Sequence, residues 1–341
     1  MRNKTKRNLL VTLADKNYVE QAKQLFSSVY FNAGWKGDYM LLSYKIPGKK
    51  LKWFKDKEIL IKKRSFSSKN LGLGKWPPVI FNKLYLFTPE FKKWQNIIFL
   101  DVDIIVRASL DELTKIKGFA AVGGWHHLSK LFLGPLSIRI RKIDKNILNK
   151  LKKNYNLRES TFKSSVMAFE TDIIRKDTFS KLKKLLQAYE KIIYGDEPIV
   201  NLLFYKKWIK LPLIYNIHPY YFIKLNNLRP SKIKGIILHF PKYKPWLPKS
   251  PFYKEWKNNL DKAELIDLKK IPPVREKWTK EDIERYCKYL RKRHILYYHK
   301  HVIWKISIFI DKCFGLIGIF LKNNFPKLYF KLKKLKKKLK K

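Results

Sequence analysis

The chain has 341 residues, 45% of them hydrophobic, and its 76 Lys and Arg against 27 Asp and Glu give a formal charge of +49. The apolar content and ten tryptophans exclude an intrinsically disordered chain, and the length suffices for one large α/β domain with a terminal appendage. Such a charge would attract nucleic acid, an anionic lipid surface or a phosphate-bearing substrate, and it does not distinguish among them.

The two cysteines, Cys287 and Cys313, provide neither a disulfide framework nor metal-ligand spacing. We therefore expect a reducing, cytoplasmic setting. Basic residues at the amino terminus precede a short apolar run, which is typical of a first strand because it lacks a long h-region and a small-residue cleavage site. No secretion signal is expected.

The first hundred residues alternate between two kinds of pattern. Short apolar, β-type runs predict strands over residues 9–13, 39–44, 58–61 and 97–100, and helical patterns cover 17–30 and 77–87. This order predicts an α/β fold with a mainly parallel sheet. Ligands of such sheets normally bind beyond the carboxyl ends of the strands.

The second part of the chain continues the pattern. Further strands are predicted over residues 119–122, 165–169 and 236–239, and helices over 178–194 and 197–205. A basic stretch, 130–158, is interpreted as a substrate-side insertion. A loop rich in proline and aromatic residues is predicted from 240 to 256. The spacing of Thr279 and Asp282 is typical of a helix-capping box that opens a helix running towards residue 300.

Two carboxylates, Asp101 and Asp103, stand two residues apart where one apolar run ends and another begins. In an extended chain both side chains would point to the same side and repel each other. A divalent cation such as Mg²⁺ or Mn²⁺ would resolve that conflict and could bridge the carboxylates to a nucleotide diphosphate. The alternative is a turn in which both aspartates accept hydrogen bonds from backbone amides.

With this pair in the middle, the sequence resembles glycosyltransferase family 8, the glycogenin and bacterial lipooligosaccharide galactosyltransferase group. The similar segments occur in the family's order: NLLVTLADKNYVEQAKQLFSSV, FNKLYLFTPEFKKWQNIIFLDVDIIV, FKSSVMAFET, GDEPIVNLLF, LPLIYN and ILHFPKYKPW. They cover residues 9–246. The resemblance implies the GT-A fold, in which a Rossmann-like nucleotide-binding half, with a mainly parallel mixed sheet flanked by helices, merges with an acceptor-binding half.

The resemblance also implies a donor-binding site. Residues expected around the nucleoside, with Tyr18 stacking on uracil, are Thr12, Ala14, Asp15 and Tyr18. Residues expected near the diphosphate and the sugar are Lys83, Asp101, Val102, Asp103, Ser164 and Lys244. Asp101 and Asp103 match the family's metal-binding pair and His239 its third metal ligand, and an imidazole beside two carboxylates suits Mn²⁺.

Three features depart from the family pattern. Lys244 follows His239 by five positions instead of six and without the usual glycine, so we expect its position relative to the metal to shift, with Lys242 as a substitute. Glu197 replaces glutamine beside Asp196. Both residues are expected at the catalytic centre, Asp196 orienting the sugar hydroxyls and Glu197 supporting positive charge at the anomeric carbon. Lys163 and Ser165 replace asparagine and glycine around Ser164.

The family's activity would make this chain a retaining, metal-dependent hexosyltransferase. It would use Mn²⁺ or Mg²⁺ and UDP-glucose or UDP-galactose, and its acceptor would be a glycan, glycolipid or glycoprotein, as in lipopolysaccharide biosynthesis. Two alternatives are a basic nucleic-acid-binding protein on an α/β scaffold and a family member that has lost catalysis. Nucleic acid is not the expected partner, because no recognition motif for DNA or RNA is visible.

The carboxyl-terminal region predicts membrane association. An apolar stretch over residues 301–321 is interrupted by charges, and residues 322–341 contain ten lysines with leucines on one helical face. Such a basic amphipathic helical tail suits the anionic cytoplasmic face of a membrane. The alternatives are a disordered basic tail and a nucleic-acid tether. We therefore predict a catalytic domain over 1–267, a helical extension over 268–300 and a peripheral membrane tail over 301–341.

Overall fold

The structure is a computed structural model that describes residues 7–65, 78–133, 145–189, 195–270, 272–273, 276–306, 324–326 and 328. Its strands are β1 Leu9–Asp15, β2 Asp38–Tyr44, β3 Leu60–Lys63, β4 Asn96–Leu100, β5 Ile104–Val106, β6 Phe119–His127, β7 Ser160–Glu170, β8 Ile209–Leu211 and β9 Ile237–His239. Its α-helices are α1 Val19–Ser28, α2 Gly48–Asp56, α3 Leu128–Leu133, α4 Lys145–Asn154, α5 Thr178–Tyr189, α6 Glu197–Leu203, α7 Pro219–Asn226, α8 Tyr253–Asp261 and α9 Lys280–Leu296.

Seven strands form one mixed sheet in the order β3-β2-β1-β4-β7-β6-β8. Strands β3, β2, β1 and β4 are parallel, β7 is antiparallel to both β4 and β6, and β8 is parallel to β6. Strands β5 and β9 form a separate, antiparallel pair. The predicted α/β fold with a mainly parallel sheet flanked by helices is confirmed.

Both faces of the large sheet are covered, which explains why its central strands are nearly continuous apolar runs. In β4, Ile98 and Leu100 belong to one buried cluster, whereas Ile97 and Phe99 belong to the other. Helices α1 and α8 contribute to the first cluster, and α5 and α6 to the second. The chain that leaves β4 at Asp101 therefore starts from a strand fixed on both sides.

Most predicted elements are present close to their expected positions. The helix expected over 17–30 is α-helical to Ser28 and then widens into a π-helical turn that ends at Gly34, whose φ of 64° is left-handed. The segment expected to be helical over 77–87 is a 3₁₀ helix, Pro78–Phe87. The predicted strands over 119–122 and 165–169 belong to the longer strands β6 and β7.

The structure corrects the predicted loop before Trp256. Helix α8 begins at Tyr253, because Trp256 and Leu260 pack into the hydrophobic cluster that contains α1. Helices α2 and α7 were not predicted either. The basic stretch 130–158 contains α4, and its residues 134–144 lie outside the part that the structure describes.

The predicted capping box is confirmed. The backbone N–H of Asp282 donates to Thr279 Oγ1 at 3.1 Å, and that of Thr279 donates to Asp282 Oδ2 at 3.3 Å. Helix α9, which this box opens, buries Tyr286 and Leu290 in the same cluster as α1. Helix α9 thus packs directly on this buried cluster, and the domain boundary at 267 stays a prediction.

The predicted membrane tail falls largely outside the described residues. Only positions 301–306, 324–326 and 328 of it are described, so its amphipathic helix stays a prediction. Across the described ranges, no helix has both the length and the apolar character needed to cross a bilayer.

Candidate active site

The paired aspartates lie where the chain leaves the large sheet. After β4 the chain turns at Val102 and Asp103 and enters β5, which pairs with β9 so that Ile104 lies opposite His239. The backbone N–H of Asp101 donates to Ser165 O at 3.0 Å, which ties the start of this turn to β7. The turn therefore carries both carboxylates to one place without the chain staying extended.

Three potential metal ligands meet at this turn. One ligand atom each from Asp101, Asp103 and His239 lies within 4.8 Å of the others, and His239 Nε2 is 3.3 Å from Asp103 Oδ1. Two carboxylates and one imidazole make a donor set that suits Mn²⁺, and the carboxylate oxygens also suit Mg²⁺. The residues present therefore fit the divalent cation that the sequence predicts.

The two carboxylates have opposite electrostatic environments. Burial raises the pKa of Asp101 to about 6; Lys83 and His239 act against this rise, whereas Asp103 adds to it. Burial also opposes the charge of Asp103, but attraction and hydrogen bonds from His239 and Lys244 outweigh burial and lower the pKa of that carboxyl. Asp103 is thus held ionised, ready to face a cation.

Lys83 connects the aspartate pair to the second predicted catalytic region. Its Nζ lies 3.2 Å from Asp101 Oδ1 and 3.0 Å from Asp196 Oδ2, and the side chain is only 5% exposed. Burial opposes the ammonium charge, yet these two carboxylates raise the pKa of Lys83 above its ordinary value. Ser164 Oγ donates to Asp196 Oδ2 at 2.8 Å, so Asp196 is held from two sides.

Glu197 lies beside this network and has a cationic partner of its own. Lys163 Nζ is 3.0 Å from Glu197 Oε1, and the Ser164 backbone N–H approaches Glu197 Oε2 at 3.5 Å. Asp196 and Glu197 come from the start of α6, whereas Lys163 and Ser164 come from β7. The Lys163–Glu197 and Ser164–Asp196 side-chain contacts therefore join β7 to the start of α6 at the wall of the site.

Lys244 reaches the aspartate pair despite the shortened spacing. Its Nζ is 2.5 Å from Asp103 Oδ2 and donates to Phe240 O at 2.9 Å. The loop achieves this with Tyr243 at a φ of 53°, a left-handed conformation that glycine adopts more readily. Lys244 thus contacts Asp103 directly, and its expected shift relative to the metal stays a prediction; Lys242 does not line the cavity.

The predicted nucleoside-binding residues divide into two groups. Ala14, Asp15 and Tyr18 line the cavity, and the Tyr18 ring is 37% exposed and meets Trp246 edge to face at 6.1 Å. Thr12 does not line it, because its buried hydroxyl donates to Leu100 O at 2.7 Å and links β1 to β4. The structure thus gives Thr12 a role within the sheet, and its predicted place around the nucleoside gains no support from the cavity lining.

These residues surround one cavity of about 640 Å³. That size is within the range of roughly 300–1,000 Å³ usual for small-molecule sites. Apart from Thr12, the cavity wall includes every predicted site residue: Ala14, Asp15, Tyr18, Lys83, Asp101, Val102, Asp103, Ser164, Asp196, Glu197, His239 and Lys244. His126, from the end of β6, and Lys130, at the beginning of the predicted insertion, also line the cavity.

Sequence analysis missed a layer of polar residues behind His239. His239 Nδ1 lies 3.0 Å from Asn216 Oδ1 and 3.2 Å from His218 Nε2. Burial, with repulsion from His239, lowers the pKa of His218 well below its ordinary value, so its ring is neutral. The motif LPLIYN contains Asn216, but its place behind His239 depends on the bridge between Ile217 and Leu238 of β9, which joins residues far apart in sequence.

Comparisons with known proteins agree that the chain is similar to glycosyltransferases. A family model described as Glycosyl transferase family 8 matches residues 9–250. Glycosyltransferase GlyB of Streptococcus pneumoniae is 27% identical over 175 residues, which are 47% of this chain and 36% of GlyB. The probable glycosyl transferase Gly of Streptococcus gordonii is 24% identical over 167 residues, which are 48% of this chain and 21% of that protein. The chain thus covers about a third or less of these relatives.

Solved structures support the same fold. The galactosyltransferase LgtC, solved with donor and acceptor sugar analogues, has a TM-score of 0.54 at 16% identity, covering 74% of this chain and 95% of LgtC. The bifunctional glycosyltransferase WbbM in its apo form also has a TM-score of 0.54, at 19% identity, covering 77% of this chain and 52% of WbbM. At these identities the likeness shows the GT-A fold.

Proposed function

Since this chain belongs to glycosyl transferase family 8, we propose that it transfers a hexose from UDP-glucose or UDP-galactose to a glycan, glycolipid or glycoprotein, with retention at the anomeric carbon. The observation that supports this most directly is the convergence of Asp101, Asp103 and His239 in one cavity with Lys83 and Asp196. These groups come from four separate parts of the chain, so their meeting is not a local coincidence of sequence.

In this proposal Asp101, Asp103 and His239 hold Mn²⁺ or Mg²⁺. When bound, the cation supplies charge stabilisation to the diphosphate that departs from the sugar. Lys244 neutralises the same phosphates from the neighbouring loop, a role that its contact with Asp103 supports. Tyr18 offers its partly exposed ring to the base.

In this proposal the sugar lies against the part of the cavity wall that Asp196 and Glu197 form. Asp196 orients its hydroxyls, and its position is set by Lys83 and by the Ser164 hydroxyl. Glu197 supports positive charge at the anomeric carbon without a covalent intermediate. The acceptor hydroxyl attacks from the face that the diphosphate leaves, and phosphate oxygens take up its proton, so no separate general base is required.

The decisive experiment is donor hydrolysis and transfer by the full chain. UDP-glucose and UDP-galactose would be supplied with Mn²⁺, with Mg²⁺ or with EDTA, and UDP release would be measured. We expect release with one of the two donors, stimulation by Mn²⁺ and loss in EDTA. Donor and Mn²⁺ binding without turnover would indicate a lapsed enzyme, and tight DNA or RNA binding unaffected by UDP-sugar would favour the nucleic-acid alternative.

We further propose that the chain acts peripherally at the cytoplasmic face of a membrane. At the end of α9 and just after it, Ile295, Leu296 and Ile303 are 73%, 57% and 63% exposed, with Lys300 between them in sequence and Lys305 directly after. Exposed apolar groups mixed with lysines suit the boundary of an anionic bilayer. The ten lysines of residues 322–341 would add electrostatic attraction.

A further inference from the structure

The ring of His239 has two nitrogens with different surroundings. Nε2 faces Asp103 and the proposed metal site, whereas Nδ1 points away from it towards Asn216 Oδ1 and His218 Nε2. A neutral imidazole carries its proton on only one nitrogen. It can bind a metal through Nε2 only when the proton is on Nδ1, so the partner of Nδ1 decides whether the ring can act as a ligand.

The orientation of the Asn216 amide determines what Nδ1 meets. Asn216 Nδ2 donates to Ser165 Oγ at 3.0 Å, which leaves Asn216 Oδ1 directed at His239 Nδ1 at 3.0 Å. An amide oxygen only accepts hydrogen bonds, so His239 Nδ1 must donate. Asn216, Ser165 and His239 are all buried, at 2%, 5% and 7% exposure, so bulk water does not compete for this contact.

Backbone hydrogen bonds fix the positions of Ser165, Asn216 and His239. Ile217, next to Asn216, accepts from the His239 N–H at 2.8 Å and donates to Ile237 O at 3.0 Å. Ser165 O accepts from the Asp101 N–H at 3.0 Å, so the residue that orients Asn216 also fixes a second proposed ligand. The side chain and the carbonyl of Ser165 thereby connect Asp101 with His239.

We propose that Asn216 is a positioning residue that keeps His239 in the Nδ1–H form, with Ser165 fixing the Asn216 amide and His218 serving as a secondary acceptor. This inference rests on the proposed function in one respect, that His239 binds the metal through Nε2. It assigns a role to the serine that replaces the family's glycine at position 165. An apolar residue at 216 would leave the buried Nδ1–H with the more distant His218 as its acceptor.

The test compares Asn216→Leu, which removes the acceptor, with Asn216→Asp, which retains it. Mn²⁺ binding to the full chain would be followed by titration calorimetry and by the electron paramagnetic resonance signal of free Mn²⁺. We expect Mn²⁺ affinity to fall about 10–100-fold in Asn216→Leu, the usual effect of removing such a partner. Asn216→Asp should stay within about threefold of the wild type, and His218→Ala should lose less than Asn216→Leu.

A second readout needs no metal. Nitrogen-15 NMR of the metal-free chain would show which nitrogen of His239 carries the proton. We expect Nδ1–H in the wild type and a smaller fraction of Nδ1–H in Asn216→Leu, where only His218 remains as an acceptor. The resonance that is missing in His239→Ala identifies the residue. A wild-type ring protonated on Nε2 alone, or unchanged Mn²⁺ affinity in Asn216→Leu, would overturn the inference.

These readouts separate failure of the inference from failure of the proposed function. If the wild type binds no Mn²⁺, or if His239→Ala binds it normally, His239 is not a ligand and the proposed metal site is wrong. The NMR experiment still tests the Asn216 contact in that case. If Asn216→Leu does not fold, Ser165→Ala provides the alternative, because it frees the amide to rotate without removing a backbone contact, and Mn²⁺ affinity should again fall.

Discussion

Lys163 Nζ lies 3.0 Å from Glu197 Oε1, so two of the residues that depart from the family pattern on this wall are partners of each other. Both side chains are about three-quarters buried, at 25% and 22% exposure. A lone glutamate here would place an uncompensated charge beside the sugar. Together Glu197 and Lys163 have almost no net charge, like the glutamine and asparagine that the family usually has at these two positions.

This pairing predicts a non-additive double-mutant cycle. Glu197→Gln should retain substantial transfer activity, because the carboxylate is expected to give electrostatic support and not to act as a nucleophile. Lys163→Asn should lower kcat more, since it leaves Glu197 unpaired. The double variant should recover activity, with a coupling free energy of about 0.5–3 kcal/mol between the two sites. Complete loss in Glu197→Gln together with a trapped glycosyl adduct in the wild type would contradict this prediction.

The second prediction concerns Asp103. Asp103→Ala should abolish metal-stimulated turnover and leave the fold intact, because the carboxylate faces the cavity and its partners His239 and Lys244 are themselves site residues. UDP release with and without Mn²⁺ measures the first effect, and circular dichroism the second. Asp177→Ala is the matched control, since Asp177 pairs with Lys181 on the surface. Mn²⁺-stimulated transfer that survives in Asp103→Ala would remove the residue from the metal site.

Lys83 should be needed for stability as well as for activity. Lys83→Met leaves Asp101 and Asp196 without the buried cation that they share, and breaking such a pair typically costs about 3–5 kcal/mol. Urea denaturation should show a correspondingly lower midpoint. Lys115→Met, which removes a surface lysine paired with Glu112, should leave the midpoint unchanged. Equal stability of Lys83→Met and the wild type would mean that solvent already compensates the carboxylates.

The sequence predicts the central strands and the aspartate pair well because both depend on local patterns. Residues 97–100 are buried on both faces of the sheet, and Asp101 and Asp103 follow directly after the carboxyl end of this strand. The Lys163–Glu197 contact could not be predicted in this way, since it joins residues 34 positions apart through the packing of α6 on β7. Likewise, the reach of Lys244 depends on the left-handed backbone at Tyr243, which no spacing rule indicates.

The last prediction concerns the membrane tail. A chain that ends after Ile306 should bind anionic vesicles much more weakly, because it lacks the ten lysines of residues 322–341. It should keep transfer to a soluble acceptor, because every proposed donor-site residue precedes α9. The cut is placed there because His301 is buried and its Nδ1 lies 2.8 Å from Tyr221 Oη, so a cut at 301 would disturb packing. Vesicle sedimentation of the full and shortened chains across a salt series measures the binding.

The salt dependence of vesicle binding distinguishes the possible kinds of membrane attachment. If apolar insertion and electrostatic attraction act together, binding of the full chain should weaken as salt rises without vanishing, because only the electrostatic part is screened. A purely electrostatic tail would be released at high salt, whereas a segment that crosses the bilayer would resist both salt and carbonate extraction. If the shortened chain binds as tightly as the full chain, the anchor is not the tail, and the basic surface of the catalytic domain becomes the site of membrane contact.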